Sequence, residues 1–104
     1  MIALLGLFAV FVAACTEDSR TVSIFATEYR EQTRELGLSV NSCKAHLEAE
    51  VVETAAEVRV TVTATGGSSM DCADGLDVQL HRALDGRQVV DGATGQPVEV
   101  TLDR

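Results

Sequence analysis

Val58-Arg59-Val60-Thr61-Val62-Thr63 alternates valine with polar side chains without a break. Successive side chains of an extended strand point to opposite faces, so this stretch has one dry face and one wet face. A helix would spread the same valines around its circumference. The segment therefore reads as a half-buried strand of an antiparallel sheet, and its β-branched content agrees.

The same period recurs on both sides of it. Leu36, Leu38 and Val40 alternate with Gly37, Ser39 and Asn41, and Leu47, Ala49 and Val51 with Glu48, Glu50 and Val52. Leu76, Val78 and Leu80 alternate with Asp77, Gln79 and His81, and Val98, Val100 and Leu102 with Glu99, Thr101 and Asp103. Turn chemistry separates the runs. Glu53 to Ala56 predicts a hairpin connection, and Gly66-Gly67, Asp74-Gly75, Asp85-Gly86, Asp91-Gly92 and Thr94-Gly95 punctuate the rest. Residues 21–35 fit two periods: Val22, Phe25, Ala26, Tyr29 and Leu36 make a helical face, while Val22, Ile24 and Ala26 alternate as a strand would. The strand is preferred, because it could turn through Arg30 to Arg34 and pair with the next run. The expected fold is all-β: a small antiparallel sandwich or partly open barrel of about six or seven short strands.

The start of the chain is of another kind. Ile2 to Val12 is an uncharged apolar run. At about eleven residues it is shorter than the roughly 20 that a bilayer-spanning helix needs. Followed by small residues, it reads as the apolar part and cleavage site of an export signal. Val12-Ala13-Ala14-Cys15 resembles the lipobox of bacterial lipoproteins, although no Lys or Arg precedes Cys15. The resemblance implies that the Cys15 thiol receives a diacylglycerol, with palmitate as its acyl group, that residues 1–14 are removed and that Cys15 becomes the first residue. It also implies a lipid anchor at the extracytoplasmic face of the cell membrane. Cleaved secretion without lipid and an uncleaved anchor are the alternatives. Residues 15–20 would then be a lipidated tether and 21–104 the β domain.

With Cys15 assigned to lipid, Cys43 and Cys72 remain as a pair, and in an oxidising compartment such a pair forms a disulfide. A reactive or metal-binding thiol pair is the alternative reading. Sixteen acidic residues against eight basic give a net charge of −8. That balance argues against nucleic acid and against a basic patch on anionic lipid, both of which need clustered Lys and Arg.

The last sixty or so residues also resemble a group of small, functionally uncharacterised actinobacterial secreted proteins and lipoproteins. The resemblance rests on Cys43, Glu50 to Thr63, Asp71-Cys72-Ala73 and the ending Gly86-Arg87-Gln88-Val89-Val90-Asp91-Gly92-Ala93-Thr94-Gly95-Gln96-Pro97-Val98. It implies an extracytoplasmic β domain with a disulfide and no particular activity. Read physically, the ending is a clasp: Val89 and Val90 form a short strand, and Gly92 and Gly95 offer positive φ for the turn. Arg87 and Asp91 are candidates to pair across its base.

Two groups could carry metal chemistry. Asp71, Asp74 and Asp77 form a D-x-x-D-x-x-D array, although calcium loops of the EF-hand type place ligands at alternate positions. His46, Glu48 and Glu50 share one strand face, with His81 on another polar face; a zinc site would need three or four of them to converge. The bland readings are turn-forming aspartates and a solvated strand face. No G-x-S-x-G elbow surrounds any serine, and no cofactor motif is present. The expectation is a non-enzymatic binding or interaction module of the cell envelope, its partner an envelope protein or ligand. The alternative is a metal- or small-ligand-binding lipoprotein that uses the aspartate loop or the His/Glu face.

Overall fold

A computed structural model describes residues 18–68 and 72–103. Residues 1–17, with the expected signal and Cys15, lie outside the described residues, as does Asp71. The described chain is all strand: β1 (Ser19–Val22), β2 (Ile24–Arg30), β3 (Glu35–Val40), β4 (His46–Glu53), β5 (Glu57–Thr65), β6 (Asp74–Gln79), β7 (Gln88–Asp91), β8 (Pro97–Val98) and β9 (Val100–Asp103). The first strand begins at Ser19, so the sheet takes up the end of the stretch read as tether.

β5, which contains the opening hexapeptide, is the hub of a five-stranded sheet. β4 lies along one edge of it; β1 and β7 share the other, and β8 follows β7. β4 and β5 form the hairpin expected at Glu53 to Ala56, closed by the Thr54 amide on the Glu57 carbonyl at 2.9 Å. The second sheet has the order β6-β3-β2-β9. Residues 21–35 are strand, and β2 turns back onto β3 as expected.

The fold departs from the expectation in two ways. It has nine strands among the described residues, and the sheets are mixed: β5–β7 and β2–β9 are parallel. The extra strands have a local cause. The described chain passes between the sheets five times, and two of these passages take a single residue: Ser23 between β1 and β2, and Glu99 between β8 and β9. Each of these two splits one expected strand and sends its second half to the opposite layer. The Thr27 hydroxyl donates to the Glu99 carbonyl at 2.8 Å, which ties the two crossings together.

The inner faces share one core. Val22, Val58, Val60, Val62, Ala64 and Val89 come from the first sheet, and Ile24, Tyr29, Leu36, Leu38 and Val40 from the second. Val58, Val60 and Val62 are fully buried, each a contribution of roughly 1.5–3 kcal/mol. Cys43 and Cys72 are disulfide-bonded with their Cα atoms 5.2 Å apart, as expected.

The C-terminal clasp forms, with two corrections. Gly95 takes positive φ, at 77°, but Gly92 does not. Gly92 is needed for close approach: its amide donates to the Val60 carbonyl at 2.7 Å, and a Cβ there would lie 1.8 Å from Thr61 Oγ1. Nor do Arg87 and Asp91 pair. β7 is extended between them, and four residues of strand span about 13 Å. Arg87 turns instead to Glu53 at 3.1 Å.

Candidate functional site

The outer face of the four-stranded sheet carries a groove of about 500 Å³. Its composition follows from register. Inward Leu36, Leu38 and Val40 leave Gly37 and Ser39 outward on β3, and pairing sets β2 and β6 beside them. Gly75, Ser39 and Ala26 form one cross-strand row of small residues. Asp77, Gly37, Glu28 and Thr101 form the next, and Gln79, Glu35, Arg30 and Asp103 the third. The small row makes the floor and the charged rows make the wall.

Arg30 organises that wall. Its guanidinium lies 3.5 Å from Glu35, 3.6 Å from Asp77 and 4.0 Å from Asp103. Gly37 allows this convergence, because a Cβ there would sit 3.2 Å from Asp77 Oδ1 and 3.7 Å from Arg30 Nη2. Glu28 and Asp77 line the groove with Arg30, while Glu35 and Asp103 meet Arg30 just beyond it, so carboxylates outnumber the one cation. Half-exposed pairs of this kind contribute little stability, on the order of 0–1 kcal/mol each. Small residues below and carboxylates beside suit a cationic, flat group.

The structure separates the aspartates. Residues three apart on a strand face opposite ways, so Asp77 joins the groove while Asp74 turns toward the β3–β4 loop. There the Asp74 carboxylate accepts the Ser42 hydroxyl and, at 3.3 Å, the Lys44 and Ala45 amides. The Ser42 hydrogen bond, helped by those amides, outweighs burial and lowers the pKa of Asp74 from its ordinary value of 3.8. Asp74 thus fixes the loop that carries Cys43.

His46 contacts Glu48 at 3.3 Å on the exposed face of β4, with Glu50 next along that face. His81 lies near the other end of β4, its amide donating to Glu53 Oε2 at 2.7 Å. Seven residues of strand separate Glu53 from His46, about 23 Å, so the two histidines do not converge. Among the described residues no group of three or more His, Cys, Asp or Glu side chains is placed to hold a metal ion.

Sequence reasoning set Arg87 against Asp91 and found no role for Glu53 or the Tyr29 hydroxyl; the three build the end of the molecule beside residues 81–87. Arg87, 7 % exposed, donates to the carbonyls of Thr54, Arg82, Ala83 and Leu84 as well as to Glu53. The Tyr29 hydroxyl accepts the Leu84 amide at 3.1 Å. Burial pushes the Glu53 carboxyl up, but bonds from the His81 amide, the Arg87 guanidinium and the Arg82 amide, with the Arg87 charge, hold it below its ordinary value. A lone Glu in a turn and a lone Arg thirty-four positions away gave no signal of this.

No helix among the described residues is long and apolar enough to cross a membrane. No protein-family model, curated protein or solved structure matches the chain.

Proposed function

We propose that the chain is a membrane-anchored extracytoplasmic lipoprotein of the cell envelope whose β domain is a non-enzymatic binding module. The observation that carries the binding role is the acidic groove around Arg30, a recess with a floor of Ala26, Ser39 and Gly75. Its occupant is a cationic group of an envelope protein or ligand. The lipobox-like Val12-Ala13-Ala14-Cys15 and the disulfide support the location.

The anchor also orients the domain. Ser19, the first strand residue, is only four positions after Cys15, a reach of at most about 14 Å. Ser19 pairs with Thr65, at the end of β5 that leads into Gly66 and the disulfide. That end faces the lipid, and the groove opens laterally.

The test combines intact mass with capture. Membrane-extracted protein beginning at Cys15 with added diacyl mass supports the anchor; a chain still starting at Met1 without lipid overturns it. A partner retained from detergent-extracted envelope by the native protein, and lost with Glu28→Lys/Asp77→Lys, supports the groove. Retention unchanged by those substitutions overturns it. Protein purified without chelator and carrying a stoichiometric metal ion would favour the metal-binding alternative.

A further inference from the structure

On one side of the sandwich the two sheets end in β4 and β6, each paired on one side only among the described residues. These edges are tied together at both ends. The Cys43–Cys72 bridge and the Asp74 carboxylate on the Ala45 amide join their starts. The Glu53 carboxylate on the His81 and Arg82 amides joins their far ends. Between the ties, no ladder among the described residues connects the strands.

Edge strands are usually protected by shortness, proline, lysine or a bulge. The five-stranded sheet has such protection at its other end, where β8 is two residues long and begins with Pro97. β4 has none. It runs eight residues, His46–Glu53, without Pro, Gly or Lys and in unbroken register with β5. Its inner side, Leu47, Ala49 and Val51, is only half-buried, as are Leu76 and Val78 on β6. Its outer side shows His46, Glu48 and Glu50, with Val52 at 50 % exposure. Glu48 and Glu50 face Thr63 and Thr61 across the ladder, and the nearby Arg59 turns to Glu57 at 3.2 Å.

We propose that the β4 edge docks an extended segment of a partner protein in which apolar residues alternate with Lys or Arg, adding a strand to the sheet. Backbone pairing supplies the affinity and alternate side chains supply the specificity. The apolar side chains cover Leu47, Ala49 and Val51 and reach over Leu76 and Val78; the basic ones lie beside Glu48 and Glu50. A second copy fits poorly, because pairing β4 with itself sets carboxylates against carboxylates. Residues 1–17 fit poorly too, since they carry no Lys or Arg to meet those acids. The surface is the same whether or not Cys15 carries lipid, and it shares only Leu76 with the Arg30 groove.

The test uses the full chain in detergent micelles and a synthetic peptide of alternating Val and Lys, as long as β4. Controls are the same peptide N-methylated at every second amide and a Val/Glu peptide. The expected result is binding of the Val/Lys peptide with slowed amide exchange within residues 46–53, and about tenfold weaker binding of both controls. Glu48→Lys/Glu50→Lys reverses the preference between Lys and Glu peptides while the unfolding midpoint stays in place. Equal binding of the N-methylated peptide overturns the proposal, as does protection confined to residues 24–39, which would assign the peptide to the groove. Edge amides already protected before peptide is added also overturn it. The occupant is then the chain's own first residues if protection is independent of protein concentration, and a second copy if it rises with concentration.

Discussion

The carboxylate of Asp91 accepts the backbone amide of Ile24 at 3.0 Å, across sixty-seven positions of sequence. Ile24 is the first residue of β2, just past the crossing at Ser23, and Asp91 ends β7. Asp91 Oδ1 also takes the Ala93 amide at 2.9 Å, which shapes the turn leading to β8 and the second crossing. One buried side chain therefore braces both of the single-residue crossings between the sheets.

Asp91 is 2 % exposed, so removing its carboxylate strands the buried Ile24 amide and frees the part-buried Ala93 amide. Asp91→Ala is expected to cost about 3 kcal/mol, and Asp91→Asn, which keeps one acceptor, about half as much. Urea unfolding of the three proteins checks this. Equal stability of Asp91→Ala and the native chain would show that the crossings hold without it.

Gly92 and Gly95 separate crowding from backbone strain within one turn. A Cβ at Gly92 collides with Thr61, so Gly92→Ala is expected to cost about 1–3 kcal/mol. Thr61→Ala should relieve part of that loss, a coupling that a double-mutant cycle reads directly. At Gly95 a Cβ meets nothing within 4 Å, and only the positive φ opposes it. Gly95→Ala should cost about 1–2 kcal/mol, with no rescue from Thr61→Ala.

How much of this was legible follows from where the alternation is strict. β5 and β3 announce themselves, because every second residue enters the core. Between Val22 and Tyr29 the buried residues are Val22, Ile24, Thr27 and Tyr29, since a bulge between Ile24 and Ala26 leaves Phe25 and Ala26 both outward. That extra residue imitates helical spacing, hence the ambiguity there. Val98 to Leu102 alternates without a break, yet the chain crosses layers at Glu99, and period alone does not say which sheet a strand joins. The groove was hidden for a further reason. Arg30, Glu35, Asp77 and Asp103 meet only through the registers of three strand pairs, and none of those registers is written locally.

Glu53 makes stability pH-dependent. Its folded pKa is depressed below the ordinary 4.5, so the unfolded chain binds the proton first as pH falls. The stabilisation is complete above about pH 4.5, declines below it, and is gone once pH drops through the folded value. Asp74, lowered from 3.8, adds the same sign at lower pH. Glu53→Gln should remove the earlier part of the decline. It should also destabilise at neutral pH by about 3 kcal/mol, because Arg87, its side chain 4 % exposed, loses its counter-charge. Denaturant midpoints measured from pH 3 to 7 test both. Native and Glu53→Gln curves of the same shape would dissociate Glu53 from the acid response.

The disulfide and Glu53 hold the same pair of edges from opposite ends, so their losses should not have the same consequences. Cys43–Cys72 closes a loop of twenty-nine positions, and constraining the unfolded chain by that loop is worth roughly 3.6 kcal/mol. Reduction should therefore lower the denaturant midpoint. It should also loosen the start of β4, where Asp74 alone remains to tie Ala45 to β6. Amide exchange should accelerate first at residues 43–47, while residues 51–53, held by Glu53 on His81, stay protected. The double loss, reduced Glu53→Gln, should free the whole of β4 from β6 and cost more than either change alone. Exchange that accelerates uniformly along β4 on reduction would mean that the two ties act as one unit.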